Sequence, residues 1–134
     1  MTGLLICSHH TLAQAVADTA ALVVGERKNV KVLALSKEDN VETFSLKLRE
    51  TAEAFEDCGG FIVFADMFGG TPCNAALSAF GKDENAGIIA GFNLPVILEA
   101  IIRSGSEMRD VIGAIKEKKD GTIVDVKEIF QGKR

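Results

Sequence analysis

The hydrophobic pattern of this chain changes period again and again, and no other feature of the sequence constrains its fold as strongly. Leu4 to Cys7 is an apolar run too short for a helix and suited to a buried strand. Leu12, Ala13, Val16, Ala17, Ala20 and Val23 then recur at three- and four-residue steps, a helical spacing that stops near Gly25. "VKVLAL", Val30 to Leu35, is a second strand, and Asn40 can cap a helix from about Val41 to Phe55 with Phe44, Leu48 and Ala52 on one face. A third strand, Phe61 to Ala65, runs straight into Asp66, after which Thr71 and Pro72 supply a cap and a first helical position. Ala86 to Gly91 is a fourth strand. Pro95 begins a helix carrying Ile97, Leu98, Ile101 and Ile102, and "RSGSE" separates it from another near Met108 to Glu117. "DGTIVDVKE" alternates and predicts a last, half-exposed edge strand.

Strands alternating with helices predict an α/β fold: a doubly wound, mainly parallel sheet of four strands plus a C-terminal edge strand, with helices on both faces and right-handed crossovers. Length fits one domain over residues 1–134, enough chain to bury a self-sufficient core. The formal charge of −4 and scattered Lys and Arg argue against a nucleic-acid partner. No apolar run approaches the ~20 residues that cross a bilayer, and the N-terminus lacks the charged region and cleavage site of a signal peptide. Cys7, Cys58 and Cys73 are widely spaced and odd in number, as expected of reduced thiols in a cytoplasmic protein.

Ligands of open α/β sheets gather at the carboxyl ends of the strands, near the switch in strand order. Three polar features fall there: Ser8, His9 and His10 after the first strand, Asp66 leading into Gly69, Gly70 and Thr71 after the third, and Asn93 after the fourth. If strands one and three are neighbours, a histidine can meet Asp66. A carboxylate on one imidazole nitrogen fixes the tautomer and leaves the other nitrogen's lone pair outward, able to attack phosphorus, bind a metal or act as a base. The glycine pair and the helix opening near Thr71 suit an incoming anion. Each residue also has a plain structural reading: Asp66 as a turn cap, Asn93 as a turn former, Cys73 as packing and Phe68 as a loop residue.

"LLICSHHTLAQAV", "GGFIVFADMFGGTPCNAA" and "IIAGFNLPVILEA" together resemble, in order and separation, the enzyme IIA domain of the mannose-type (mannose–fructose–sorbose) sugar phosphotransferase system. The resemblance implies a phosphoryl carrier that takes its group from HPr onto a histidine and passes it to a IIB component, which phosphorylates sugar brought in by the membrane IIC and IID components. Its register implies His9 as the phosphorylated residue, Asp66 as the partner carboxylate, and Ser8, Gly69, Gly70 and Thr71 around the phosphate. Met67, Phe68 and Asn93 are expected to touch the partner proteins.

A homodimer is implied, its last strand (Thr122 to Lys127) at an edge where protomers can exchange it, and IIB is expected on a separate polypeptide. No cofactor and no metal is expected. One residue departs from the family pattern: His10 stands where glycine is common, as a possible acceptor or modulator. The alternatives are the phosphoryl-transfer subunit of dihydroxyacetone kinase, a non-catalytic phosphorylation-dependent regulatory module, a receiver-type aspartyl-phosphate switch and a His/Asp metal hydrolase. "FGGTPCNAA" and "GFNLPVILEA" favour the sugar transporter over the first of these.

Overall fold

The computed structural model describes residues 1–132. Four strands, β1 (Gly3–His9), β2 (Val30–Leu35), β3 (Phe61–Ala65) and β4 (Ala86–Ala90), form one sheet in the order β2-β1-β3-β4, every neighbouring pair parallel. Helices α1 (Leu12–Val24), α2 (Val41–Ala52), α3 (Thr71–Phe80), α4 (Leu94–Arg103) and α5 (Met108–Lys118) surround it, and a short α6 (Val126–Phe130) follows.

The central strands are apolar along most of their length because both faces of the sheet are covered. Along β1 and β3, Leu4, Ile6, Ile62 and Phe64 join Ala13, Ala20, Val96, Ile97, Ile101, Val111 and Ile115 from α1, α4 and α5. The alternate residues Leu5, Cys7, Phe61, Val63 and Ala65 pack with Phe44 and Leu48 of α2 and with Cys73, Ala75, Ala76 and Phe80 of α3. The period-two alternation thus divides one apolar sequence between two cores.

Helix ends follow local chemistry. Asn40 and Thr43 form a reciprocal capping box on α2, and Gly25 closes α1 at φ +83°. The helix expected to reach Phe55 tightens after Ala52 into a 3-10 turn, Glu53–Phe55. Gly70 is the N-cap of α3, so Thr71 and Pro72 occupy its first two helical positions, one place later than the sequence suggested.

The expected C-terminal edge strand is corrected. Among the described residues there is no fifth strand: a 3-10 turn at Lys119–Gly121 precedes Thr122–Asp125, and Val126–Phe130 is helical. Alternation alone cannot hold a strand that has no ladder partner. Here local bonds win: the Thr122 hydroxyl donates to Lys119 C=O (2.7 Å), and Asp125 accepts the Glu128 N–H (3.2 Å) as a helix cap.

After β2, Asp39 accepts bonds from Lys47 Nζ (2.9 and 3.0 Å), the Ser36 N–H and hydroxyl (both 3.0 Å) and the Thr43 hydroxyl (3.0 Å). The Lys47 bond, then the Ser36 N–H, holds its carboxyl down at about 2. Because the folded-state value lies below the unfolded one, this carboxylate stabilises the fold above about pH 4, and the contribution disappears as pH falls toward 2. Asp39→Asn is therefore expected to lower stability at neutral pH, with the gap to the native protein closing between about pH 4 and pH 2 in acid-unfolding curves. A gap that stays constant with pH would refute this role.

Candidate active site

The strand order places the topological switch between β1 and β3. Cys7 pairs with Ala65, so the residues one and two places beyond, Asp66 on one strand and Ser8 and His9 on the other, emerge together at the carboxyl edge. His9 is the last residue of β1 and still pairs with Leu35 of β2. The sheet thus joins two segments that lie 57 positions apart in the chain.

One carboxylate oxygen holds His9 twice. Asp66 Oδ2 accepts the His9 backbone N–H at 3.0 Å and meets the ring Nδ1 at 2.7 Å. With Nδ1–H donating to the ionised carboxylate, Nε2 keeps its lone pair. The Asp66 side chain is only 9% exposed and the His9 ring 45%, so the orienting group is hidden and the ring remains accessible. The other carboxylate oxygen, Oδ1, is buried without a partner among the described residues.

The turn Met67–Gly70 brings backbone against that ring. Gly69 has φ +82°, and the Gly70 N–H reaches Met67 C=O at 3.5 Å. A Cβ on Gly70 would stand 3.0 Å from His9 Cε1 and 3.1 Å from Met67 Cγ, so any larger residue would press on the ring and require it or Met67 to give by a few tenths of an ångström. Gly70→Ala is expected to displace the ring from Asp66, seen as shifted His9 ring-nitrogen NMR signals, while the melting curve changes little, since the contact falls on the ring and the Met67 side chain and not on the core. Unshifted signals would show that the ring has room to move.

α3 begins at this turn without a side-chain cap. Pro72 has no N–H, and among the described residues those of Thr71 and Cys73 have no acceptor. They lie at the positive end of the helix dipole, whose cap residue Gly70 packs against the His9 ring. Because Gly70 is the cap, the Thr71 hydroxyl is not spent on the helix end. Asn74, which sequence reasoning missed, donates from Nδ2 to Gly69 C=O (3.2 Å) and locks the turn from within α3. A bond spanning five residues leaves no periodic trace in a sequence.

Other expected site residues sit differently. Ser8 is fully buried, its hydroxyl accepting the Ala13 N–H (2.7 Å) and donating to His10 C=O (3.3 Å), so it stands behind the exposed ring. His10 is exposed, with Nδ1 3.2 Å from the Thr11 hydroxyl. Its φ of +54° makes it the one described non-glycine residue in the left-handed region. That is the backbone reason a glycine suits the position. His10→Gly is expected to raise stability by about 0.5–1 kcal/mol in denaturant unfolding; a loss would mean that the imidazole contributes more than the strain costs.

Asn93 caps α4, accepting the Val96 N–H (3.0 Å), and its Nδ2 donates to the Thr122 hydroxyl (3.0 Å), which ties this edge to the C-terminal segment. Met67 and Phe68 are 54% and 87% exposed. Cys7 lies under the site, its thiol pushed up to about 12 by burial and then by the nearby Asp66 and Cys73, which keeps it protonated and unreactive. Among the described residues no group of three or more His, Cys, Asp or Glu side chains could hold a metal ion.

Sheet order and site together define a class of small α/β protein that presents one oriented imidazole nitrogen above a helix N-terminus. The chain belongs to the EIIA-man family, whose model, described as the PTS system fructose IIA component, matches residues 3–117. It is thus a IIA component of the sugar phosphotransferase system (PTS), a phosphotransfer protein serving sugar uptake. It is 26% identical over 117 residues to the PTS system fructose-specific EIIA component of Bacillus subtilis (strain 168), covering 87% of this chain and 80% of that one. It is 28% identical over 100 residues to the PTS system mannose-specific EIIAB component of Escherichia coli (strain K12), covering 75% of this chain and 31% of that longer protein. The crystal structure of the PTS IIA protein associated with the fucose utilization operon from Streptococcus pneumoniae superposes with a TM-score of 0.86 at 29% identity, covering 96% of each chain. No helix among the described residues is long and apolar enough to cross a membrane.

Proposed function

We propose that this protein takes a phosphoryl group from phospho-HPr onto Nε2 of His9 and passes it to a histidine of a IIB component, which serves uptake through IIC and IID. The observation that carries the reading is the double hold of Asp66 Oδ2 on the His9 N–H and Nδ1. It leaves one ring nitrogen both nucleophilic and aimed outward.

In the forward step the Nε2 lone pair attacks phosphorus in line, and the donor's N–P bond breaks with its electron pair returning to the donor nitrogen. His9 becomes a phosphorylated imidazolium whose Nδ1 proton stays on the Asp66 bond, and the carboxylate balances the new positive charge. The Thr71 hydroxyl, the glycine turn at Gly69 and Gly70 and the N–H groups of Thr71 and Cys73, which have no acceptor among the described residues, take the equatorial oxygens. The second transfer reverses the sequence toward IIB. These donors belong to the protein itself, so the acceptor site asks for no metal.

Both partners dock around the same ring in turn, on a modest surface that includes Met67 and Phe68 and, from the start of α1, the half-exposed Leu12. Asn93 shapes this edge from within, through its cap and its tie to Thr122. Two copies associate, a part of the proposal supported by the exposed Ile123, Val124 and Phe130 of the C-terminal segment. A monomer mass in light scattering would remove that part.

The test is incubation with phosphoenolpyruvate, enzyme I and HPr, followed by addition of a IIB protein. Acid-labile phosphohistidine that moves on to IIB is the expected result. A phosphoprotein that never transfers onward would favour a regulatory module, and absence of phosphohistidine would overturn the proposal.

A further inference from the structure

Ser8 was expected beside the phosphate, yet its hydroxyl is turned inward, donating one hydrogen bond and accepting another. We propose that Ser8 is a positioning residue: its buried hydroxyl pins the left-handed turn at His10 and thereby holds the His9 ring at the Asp66 carboxylate. The inference rests on the reading of His9 as phosphoryl acceptor and adds a residue that acts through it.

His9 is fixed on one side by Asp66, which takes its backbone N–H and its Nδ1. On the other side the chain must turn sharply from β1 into α1, and it does so through His10 at φ +54°, a conformation that a residue with a Cβ resists. Left to itself, that peptide would relax and rotate His9 with it. The Ser8 hydroxyl opposes this by donating to His10 C=O.

The same oxygen accepts the Ala13 N–H of the first turn of α1 and so is anchored to a buried helix end. Thr11, the residue in the capping position, makes no side-chain cap bond, and its hydroxyl meets His10 Nδ1 instead. Ser8 therefore does two things at once: it caps α1 from three residues before the cap position, and it ties that cap to the turn carrying the reactive ring. A residue that only capped the helix would leave the His10 carbonyl to solvent.

The experiment compares Ser8→Ala, Ser8→Thr and Ser8→Cys, and repeats Ser8→Ala on a His10→Gly background. Two readouts are taken: ring-nitrogen chemical shifts of His9 by NMR, which report its tautomer without any transfer, and the KM for phospho-HPr separately from the maximal transfer rate. Ser8→Ala is expected to mix the two His9 tautomers and to lower the maximal rate about tenfold with KM changed less than about twofold, because orientation is lost and docking is not. Ser8→Thr, which keeps the hydroxyl, restores most of the rate, and Ser8→Cys, a weaker donor, falls between.

On the His10→Gly background the Ser8→Ala loss shrinks to about threefold or less, since glycine holds a positive φ unaided. Should Ser8→Ala fail to fold, the cysteine variant and the double variant carry the comparison. A Ser8→Ala protein with one His9 tautomer and the native rate overturns the proposal, as does an equal loss on both backgrounds. If His9 proves not to be the acceptor, the NMR readout still decides whether Ser8 positions its ring, so the two failures are separable.

Discussion

Replacing His9 by alanine is expected to abolish phosphorylation by phosphoenolpyruvate, enzyme I and HPr, whereas His10→Ala still forms acid-labile phosphohistidine. The chain has only these two histidines, so the pair of variants leaves no third acceptor to confuse the result. The asymmetry rests on their surroundings. His9 has its Nδ1 on a buried carboxylate oxygen, which orients the ring and can balance the charge formed on phosphorylation. His10 has only the Thr11 hydroxyl at Nδ1 and no carboxylate among its hydrogen-bond partners. A phosphorylated ring there would keep its positive charge without an oriented counter-ion, and one hydrogen bond to a neutral hydroxyl would do little to hold it in line. Phosphohistidine that survives in His9→Ala and vanishes in His10→Ala would move the site by one residue and remove the role assigned to Asp66.

Asp66→Asn is the second large expected effect. The amide oxygen can still accept one bond from His9, but it carries no charge, and an amide NH₂ turned toward Nδ1 would favour the opposite tautomer, with the proton on Nε2. A proton on Nε2 occupies the lone pair that must attack phosphorus. The maximal transfer rate is expected to fall by about 10² to 10⁴, the scale found when an orienting carboxylate is removed from a catalytic histidine. Docking of HPr, read by titration calorimetry, should change little, because the Asp66 side chain is almost wholly buried and its bonds run to His9. A large loss of HPr affinity with the transfer rate preserved would mean that Asp66 serves the interface. The NMR shifts of the His9 ring nitrogens give a check independent of any donor: the native protein should show the Nδ1–H form, and Asp66→Asn a mixture or the other form.

These two outcomes differ from the smaller ones at Gly70, His10 and Asp39 because they remove the reactive atom or its charge partner. The others move the ring, relieve a turn or loosen a loop. Gly70→Ala and Ser8→Ala both leave the chemistry present and misdirect it, so each should show in the His9 ring signals before it shows in folding.

Much of the layout was legible beforehand, for a local reason. Apolar runs at β1, β2, β3 and β4 and the three- and four-residue spacing of α1 and α4 are properties of nearest neighbours, and so are the Asn40 cap and the stop at Gly25. The C-terminal stretch misled because alternation at Thr122–Lys127 says what a strand would look like and nothing about whether a ladder partner exists. Asp125 was the available contrary sign: a capping residue in the middle of the supposed strand.

The sequence by itself determined an α/β chain with its polar residues at strand ends, and its three ordered motifs pointed to the phosphotransferase family and to His9 with Asp66. What only the tertiary structure decided is how the residues around that pair divide their work. "SHH" offers three polar side chains in a row, and no spacing rule says which faces out. Pairing β1 with both β2 and β3 settles it: Ser8 is turned into the packed interior to hold the turn, His9 is brought onto Asp66, and His10 is left on the surface in a left-handed turn. The physical reason is that hydrogen bonds such as those from Ser8 to Ala13 and from His9 to Asp66 depend on where the backbone has been carried, by five residues in one case and 57 in the other. Local pattern marks most of the elements, while such contacts exist only once the chain has folded around them.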